Sequence, residues 1–131
     1  MATIFTRIVN GEIPCYKIAE TADYLAFLDV RPQMRGHALV IPKKEVDYIF
    51  DLEDDALAGL MIFAKKVAKA LKKAVPCKRI GVAVVGIEVL HAHIHLQPIN
   101  AISDFGFGKN CQMTPEELAD LAAQIKLTID N

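Results

Sequence analysis

Three of the chain's four histidines stand at alternate positions in the stretch VLHAHIHLQPIN, residues 89–100: His91, His93 and His95. Imidazole changes charge near pH ~6.5 and carries a donor and an acceptor nitrogen when neutral, so a cluster of them can do chemistry. In an extended strand alternate side chains share a face, which puts the three imidazoles together and Ala92, Ile94 and Leu96 on the opposite, core-facing side. On a helix, steps of about 200° per two residues would turn His93 away from its neighbours. The strand reading is therefore preferred, and it admits three uses: ligands for zinc or a similar ion, a catalytic surface with one imidazole as nucleophile or base, or a solvent-facing edge without a role. Spacing alone does not choose among them.

The elements that must present this face can be read around it. Thr3 and the pair Asn10-Gly11 can cap the two ends of a short helical segment, IFTRIV. YKIAE and YLAFLDV read as strands joined by a turn at residues 21–23, HALVIP as a third strand, and RIGVAVV and the histidine stretch as two more. The hairpin followed by another strand predicts antiparallel pairing. A long helix is marked by Leu57, Leu60, Met61, Ala64, Val67, Ala68 and Leu71 at i, i+3, i+4 spacing, stopping before Pro76. Its Lys65, Lys69, Lys72 and Lys73 read as a solvated face. Residues 103–113, SDFGFGKNCQM, form a loop whose phenylalanines could line a pocket or pack down, and packing is the expectation. TPEE at Thr114 carries the capping-box pattern for a last helix over about 115–129, with Leu118, Leu121, Ala122 and Ile125 on its apolar face. The sum is an α+β fold with about five mostly antiparallel strands.

At 131 residues the chain has room for one ordinary domain, taken as 1–131, and its 53% hydrophobic content argues against disorder. A formal charge of −1 gives no general reason to bind nucleic acid or an anionic membrane. Cys15, Cys77 and Cys111 are odd in number and lack a Cys-x-x-Cys pairing, which fits a reducing compartment. The N-terminus has no long apolar run and nothing approaches the ~20 residues of a membrane span, so the expected location is cytoplasmic.

HAHIHLQ resembles the His-φ-His-φ-His-φ-φ signature of the histidine triad superfamily. IFTRIVNGEIP and YLAFLDVRPQMRGHALVIPKK precede it in the order found in the Hint-like branch. The resemblance implies the fold of that superfamily, a homodimer, a purine nucleotide (AMP-like) substrate, and hydrolysis at the α-phosphorus of a nucleoside phosphoramidate through a covalent nucleotidyl-histidine. It also implies roles. His93 matches the nucleophile, His95 a phosphate ligand, His91 a flank on the leaving-group side and His37 an upstream histidine supporting the triad. Asp29 matches the carboxylate that holds the ribose, and Ile4, Phe5, Ile8, Phe27, Val30 and Leu39 match the apolar walls around base and sugar. Without the resemblance Asp29 reads as a turn residue before VRP, the apolar positions as core and His37 as a structural histidine.

Two departures from the branch stand out. Thr3, Thr6 and Glu45 occupy positions where many bacterial relatives carry two cysteines and a histidine that help bind a structural zinc, so no metal and no cofactor is expected. The segment before the triad, VVGIEVLHAH, is several residues short and puts Glu88 where a hydroxyl is usual, and a carboxylate there would repel phosphate unless protonated or turned away. Two other functions therefore stay open: a dinucleoside polyphosphate hydrolase, and a nucleotide-binding partner protein with vestigial catalysis.

Overall fold

The structure is a computed structural model that describes residues 2–129. Five strands form one sheet in the order β1-β2-β3-β5-β4: β1 Lys17–Glu20, β2 Tyr24–Leu28, β3 Ala38–Pro42, β4 Arg79–Ala83 and β5 Ile94–Ile99. Every neighbouring pair is antiparallel. The first three strands follow one another as a meander. The turn between β1 and β2 is held by Thr21, whose Oγ1 accepts the backbone N–H groups of Asp23 (3.3 Å) and Tyr24 (3.1 Å). The chain then crosses the sheet through α2, Asp54–Ala74, makes the outer strand β4, and returns as β5 between β4 and β3.

Side-chain alternation gives the sheet two different faces. Ala26, Leu28, Ala38, Val40, Ile94 and Leu96 point to α2 and to α3, Pro115–Leu127, forming the main core with Leu60, Val67, Leu71, Leu121 and Ile125. Leu25, Phe27, Leu39 and Ile41 point the other way, where Phe5 from α1, Ile4–Val9, closes a smaller cluster. His95 and Gln97 share that second side because they alternate with Leu96 on β5. Register then lines up Phe27, Leu39, His95 and Ala83 across four strands.

The predicted caps form. Thr3 Oγ1 accepts the Thr6 N–H at the start of α1, and Thr114 and Glu117 exchange both bonds of the capping box at the start of α3. In α2 the buried stripe is Leu60, Phe63, Ala64, Val67, Ala70 and Leu71. Met61, placed on the apolar face from sequence, is 47% exposed, because the stripe is centred on the 60/63/67 line and turns residue 61 outward. The four lysines Lys65, Lys69, Lys72 and Lys73 lie on the exposed side as expected. Strand β2 stops at Leu28, two residues short of the predicted end: Asp29 Oδ1 accepts the Arg31 N–H at 2.9 Å, and this local turn replaces the ladder just before Pro32. No helix among the described residues is long and apolar enough to cross a membrane.

Candidate functional site

Of the three histidines only His95 sits inside a strand, and His91 lies in a bend. Strand β5 begins at Ile94, whereas the sequence predicted one strand carrying all three imidazoles. Upstream, the Ala92 N–H donates to Val46 O at 2.7 Å in place of a ladder bond, and the side chains at 91 and 93 are fixed individually. The three still gather on one side, with Phe5 edge-on to His91 and His93 at ring-centre distances of 5.7 and 5.0 Å and the His93 and His95 rings 4.8 Å apart. Ala92, Ile94 and Leu96 face the main core, as the alternation requires.

Hydrogen-bond partners assign the imidazole tautomers one at a time. His93 Nδ1 lies 2.7 Å from the backbone carbonyl of His91. A carbonyl only accepts, so Nδ1 carries the proton and Nε2 keeps its lone pair. His91 Nε2 donates to Pro42 O at 2.8 Å, which leaves Nδ1 to accept from the Thr3 hydroxyl at 2.9 Å. On the other flank, the Gln33 N–H donates to His37 Nδ1 at 3.0 Å, so the His37 proton is on Nε2 and goes to His95 Nδ1 at 2.9 Å. His95 is thereby left with a proton on Nε2. Among the described residues neither His93 Nε2 nor His95 Nε2 has a protein partner, and no wholly buried side-chain polar atom is unpaired. The two free nitrogens are a lone pair and an N–H donor on adjacent rings, the combination needed to attack phosphorus while binding a phosphoryl oxygen.

Burial favours the neutral form of His95, His37 and His91. It pushes His95 down to about 3, with His93 and His37 adding to the effect, and it lowers His37 and His91 as well. For His37 the nearby Asp29 carboxylate, whose Oδ2 is 3.8 Å from Nε2, opposes the shift, as the Pro42 carbonyl does for His91.

A cleft of about 680 Å³ opens over this pair. Its lining includes Ile4, Phe5, Asp29, His37, Leu39, His93 and His95 from the residues picked out by sequence. His91 is wholly buried behind them, Ile8 and Phe27 support Phe5 and Leu39 from below, and Val30 is 62% exposed and outside the lining. Val30 turns outward because the turn begun by Asp29 carries the chain away from the sheet. Asp29 thus makes the turn that its bland reading predicts and also contributes to the cleft. Gly36 sets the approach to His37: its φ is +93°, and a Cβ there would meet the Pro98 Cγ at 2.9 Å.

Further residues line the cleft: Glu88 and Phe107 carry a sequence signal, whereas Arg31, Gln33 and Lys109 carry none. Residues 85–89 form one wall and include Glu88, while Arg31, Gln33, Phe107 and Lys109 stand on another. The 103–113 loop is anchored rather than slack. Phe105 sits over Gly81, where an added Cβ would come within 2.6 Å of its ring. The amide of the fully buried Gln97 exchanges two bonds with the Gly106 backbone, and Gln33 Oε1 accepts the Lys109 N–H. Phe105 packs down as expected, but Phe107 does not: it is half-exposed on the cleft, with its ring 4.7 Å from His95.

One group of metal-capable atoms exists among the described residues, Asp29, His37 and His95, all within 4.8 Å of one another. The Gln33 N–H occupies His37 Nδ1 and forces the proton onto Nε2, so His37 has no lone pair to offer an ion in this arrangement. The Thr3, Thr6 and Glu45 positions carry oxygen atoms already bonded to one another and to His91.

Comparison with known proteins adds an independent line. The HIT domain family matches residues 10–101. An adenosine 5'-monophosphoramidase, hnt1 of Schizosaccharomyces pombe, is 37% identical over 133 residues, covering 98% of this chain and 99% of that protein. HNT1 of Saccharomyces cerevisiae, of the same designation, is 40% identical over 98 residues, covering 74% of this chain and 62% of that one. Among solved structures, a Hit-like protein involved in cell-cycle regulation from Bartonella henselae superimposes with a TM-score of 0.85 at 32% identity, covering 97% and 96% of the two chains.

Proposed function

Because the chain belongs to the HIT domain family and is a nucleotide hydrolase of the histidine triad type, we propose that it cleaves purine nucleoside 5'-phosphoramidates, with His93 as nucleophile. The observation that carries this reading is the pair of free nitrogens on the cleft floor, the Nε2 lone pair of His93 beside the Nε2–H of His95. His93 Nε2 attacks the α-phosphorus, a P–N bond to the imidazole forms, and the amine departs carrying a proton drawn from water. His95 Nε2–H binds a phosphoryl oxygen as charge gathers there, and its fixed orientation costs nothing at the moment of reaction. Water then attacks phosphorus, releasing the nucleoside monophosphate and returning His93 to its neutral form. Asp29 accepts the ribose hydroxyls, and Ile4, Phe5 and Leu39 pack against base and sugar. The site needs no resident metal in this scheme, so chelator should leave turnover unchanged, and near-stoichiometric zinc in untagged protein would argue against it.

One observation favours a second reading. Arg31 and Lys109 both line the cleft, and two cations there suit a polyphosphate leaving group. Turnover of adenosine 5'-phosphoramidate against diadenosine tetraphosphate separates the two, and binding of AMP with turnover of neither would favour a vestigial site. The edge strand β4, with Val82 in it and Val84 just past its end about half-exposed, is the surface through which a homodimer would form. Light scattering that gave a monomer at every concentration would remove the dimer.

A further inference from the structure

We propose that Thr3, supported by Thr6 and Glu45, is a positioning residue that holds the attacking histidine in place through His91. This rests on the reading of His93 as the nucleophile.

The Thr3 hydroxyl does two things at once. Its oxygen caps α1 by accepting the Thr6 N–H at 3.1 Å, and its proton goes to His91 Nδ1 at 2.9 Å, 88 positions along the chain. The cap alone would need only the oxygen. Around it the ends are tied down: Glu45 Oε1 accepts both the Thr3 N–H at 2.8 Å and the Thr6 hydroxyl at 2.7 Å, and these bonds hold its carboxyl below the usual range. The first turn of α1, the chain after β3 and the His91 ring are thus joined in one hydrogen-bonded cluster.

That cluster matters to His93 because of what His91 does with its remaining groups. The ring is fully buried and clamped at both nitrogens, by Thr3 on one side and Pro42 O on the other. A ring clamped at both ends fixes its own backbone, and the His91 carbonyl is the acceptor that keeps the His93 proton on Nδ1. Without the Thr3 donor, the buried His91 Nδ1 keeps only the Thr6 hydroxyl, 3.4 Å away and with its proton already given to Glu45. The His91 ring then gains from tilting or changing tautomer, and the carbonyl that orients His93 moves with it. Misplacement of a reacting group by about 1 Å can cost up to about a hundredfold in rate.

Three substitutions separate the donor from the cap. Thr3→Ser keeps both, Thr3→Val removes both, and Thr3→Asp keeps a good cap but has no proton to give at neutral pH. Two readouts are needed. The first is steady-state kinetics on adenosine 5'-phosphoramidate. Thr3→Val and Thr3→Asp should lower kcat roughly ten- to a hundredfold with KM changed little, while Thr3→Ser stays within about threefold of wild type. The second is nitrogen-15 NMR of the imidazoles without substrate, which reports tautomers independently of turnover. Wild type and Thr3→Ser should show His93 with its proton on Nδ1, and the Val and Asp variants should show a mixed His93 population. Wild-type kcat in Thr3→Asp, equal losses in Ser and Val, or an unchanged His93 tautomer in all three would overturn the inference. A wild-type protein with the stated tautomers and no phosphoramidate turnover would instead sink the reading it rests on.

Discussion

His91 and His95 flank the same residue, belong to the same motif and are both buried, yet the protein treats them in opposite ways. Both nitrogens of His91 are taken by Thr3 and Pro42. His95 is held at one nitrogen by His37 and offers the other to the cleft. The difference shows that identical side chains in one motif are divided by their surroundings into a ring with both nitrogens taken and a ring with one left over; under the proposed function these become the supporting and the ligand-binding neighbours of an attacking His93. Chemistry follows from which nitrogen is left over.

If that division is right, the largest effect belongs to the central residue. His93→Ala removes the two-step route and should lower turnover by about a thousandfold or more, while AMP binds within a few-fold of wild type. Equal loss of binding, measured by calorimetry, would place His93 on the ligand-holding side of the comparison instead.

His95→Ala should come next, with a fall of roughly a hundredfold in kcat from loss of the phosphoryl-oxygen donor. His37→Ala tests the same flank at one remove, because His95 loses the bond that forces its proton to Nε2. A loss of about tenfold is the scale for a positioning partner of this kind. A larger effect for His37 than for His95 would mean that His37 itself meets the substrate.

How much of this was legible beforehand divides along the same line. Residues that obey a local period or a local cap were readable: the alternation that sends Ile94 and Leu96 to the core, the cap at Thr3 and the capping box at Thr114, the α2 stripe. What escaped depends on partners that no local period or cap connects. Gln33 reaching Lys109, Gln97 clamping Gly106 and Thr3 meeting His91 are contacts across 76, 9 and 88 positions, and amide or hydroxyl side chains leave no periodic trace. Phe107 reads as loop filling until the anchors on either side of it are seen. The start of β5 was misplaced because His91 and His93 are held by side-chain bonds that mimic a strand without joining a ladder.

Asp29→Ala should affect binding more than rate. A carboxylate holding a hydroxyl is worth on the order of 1.5–3 kcal/mol, so KM should rise roughly ten- to a hundredfold with kcat changed far less. A fall confined to kcat would move Asp29 from the ribose to the His37 side of the site.

The smallest expected effect is on stability against pH. Burial lowers His91, His37 and His95 in the folded state, His95 to about 3 from an ordinary 6.5. Between those values the unfolded chain binds more protons than the folded one, so stability is full above pH ~6.5 and is lost as pH falls toward 3. Thermal midpoints should decline over that window, and the decline should be shallower in His95→Ala. A midpoint independent of pH from 7 to 4 would contradict the neutral, buried state of these rings.

The central claim is that a nitrogen of His93 forms a bond to phosphorus, and the direct measurement is capture of that bond. Protein mixed with excess adenosine 5'-phosphoramidate, quenched within milliseconds, digested without acid and mapped by mass spectrometry should carry one adenylyl group on the peptide containing residues 91–95, at His93, and none in the His93→Ala protein. An adduct on His91, His95 or another residue, or turnover with no adduct on the catalytic timescale, would contradict it.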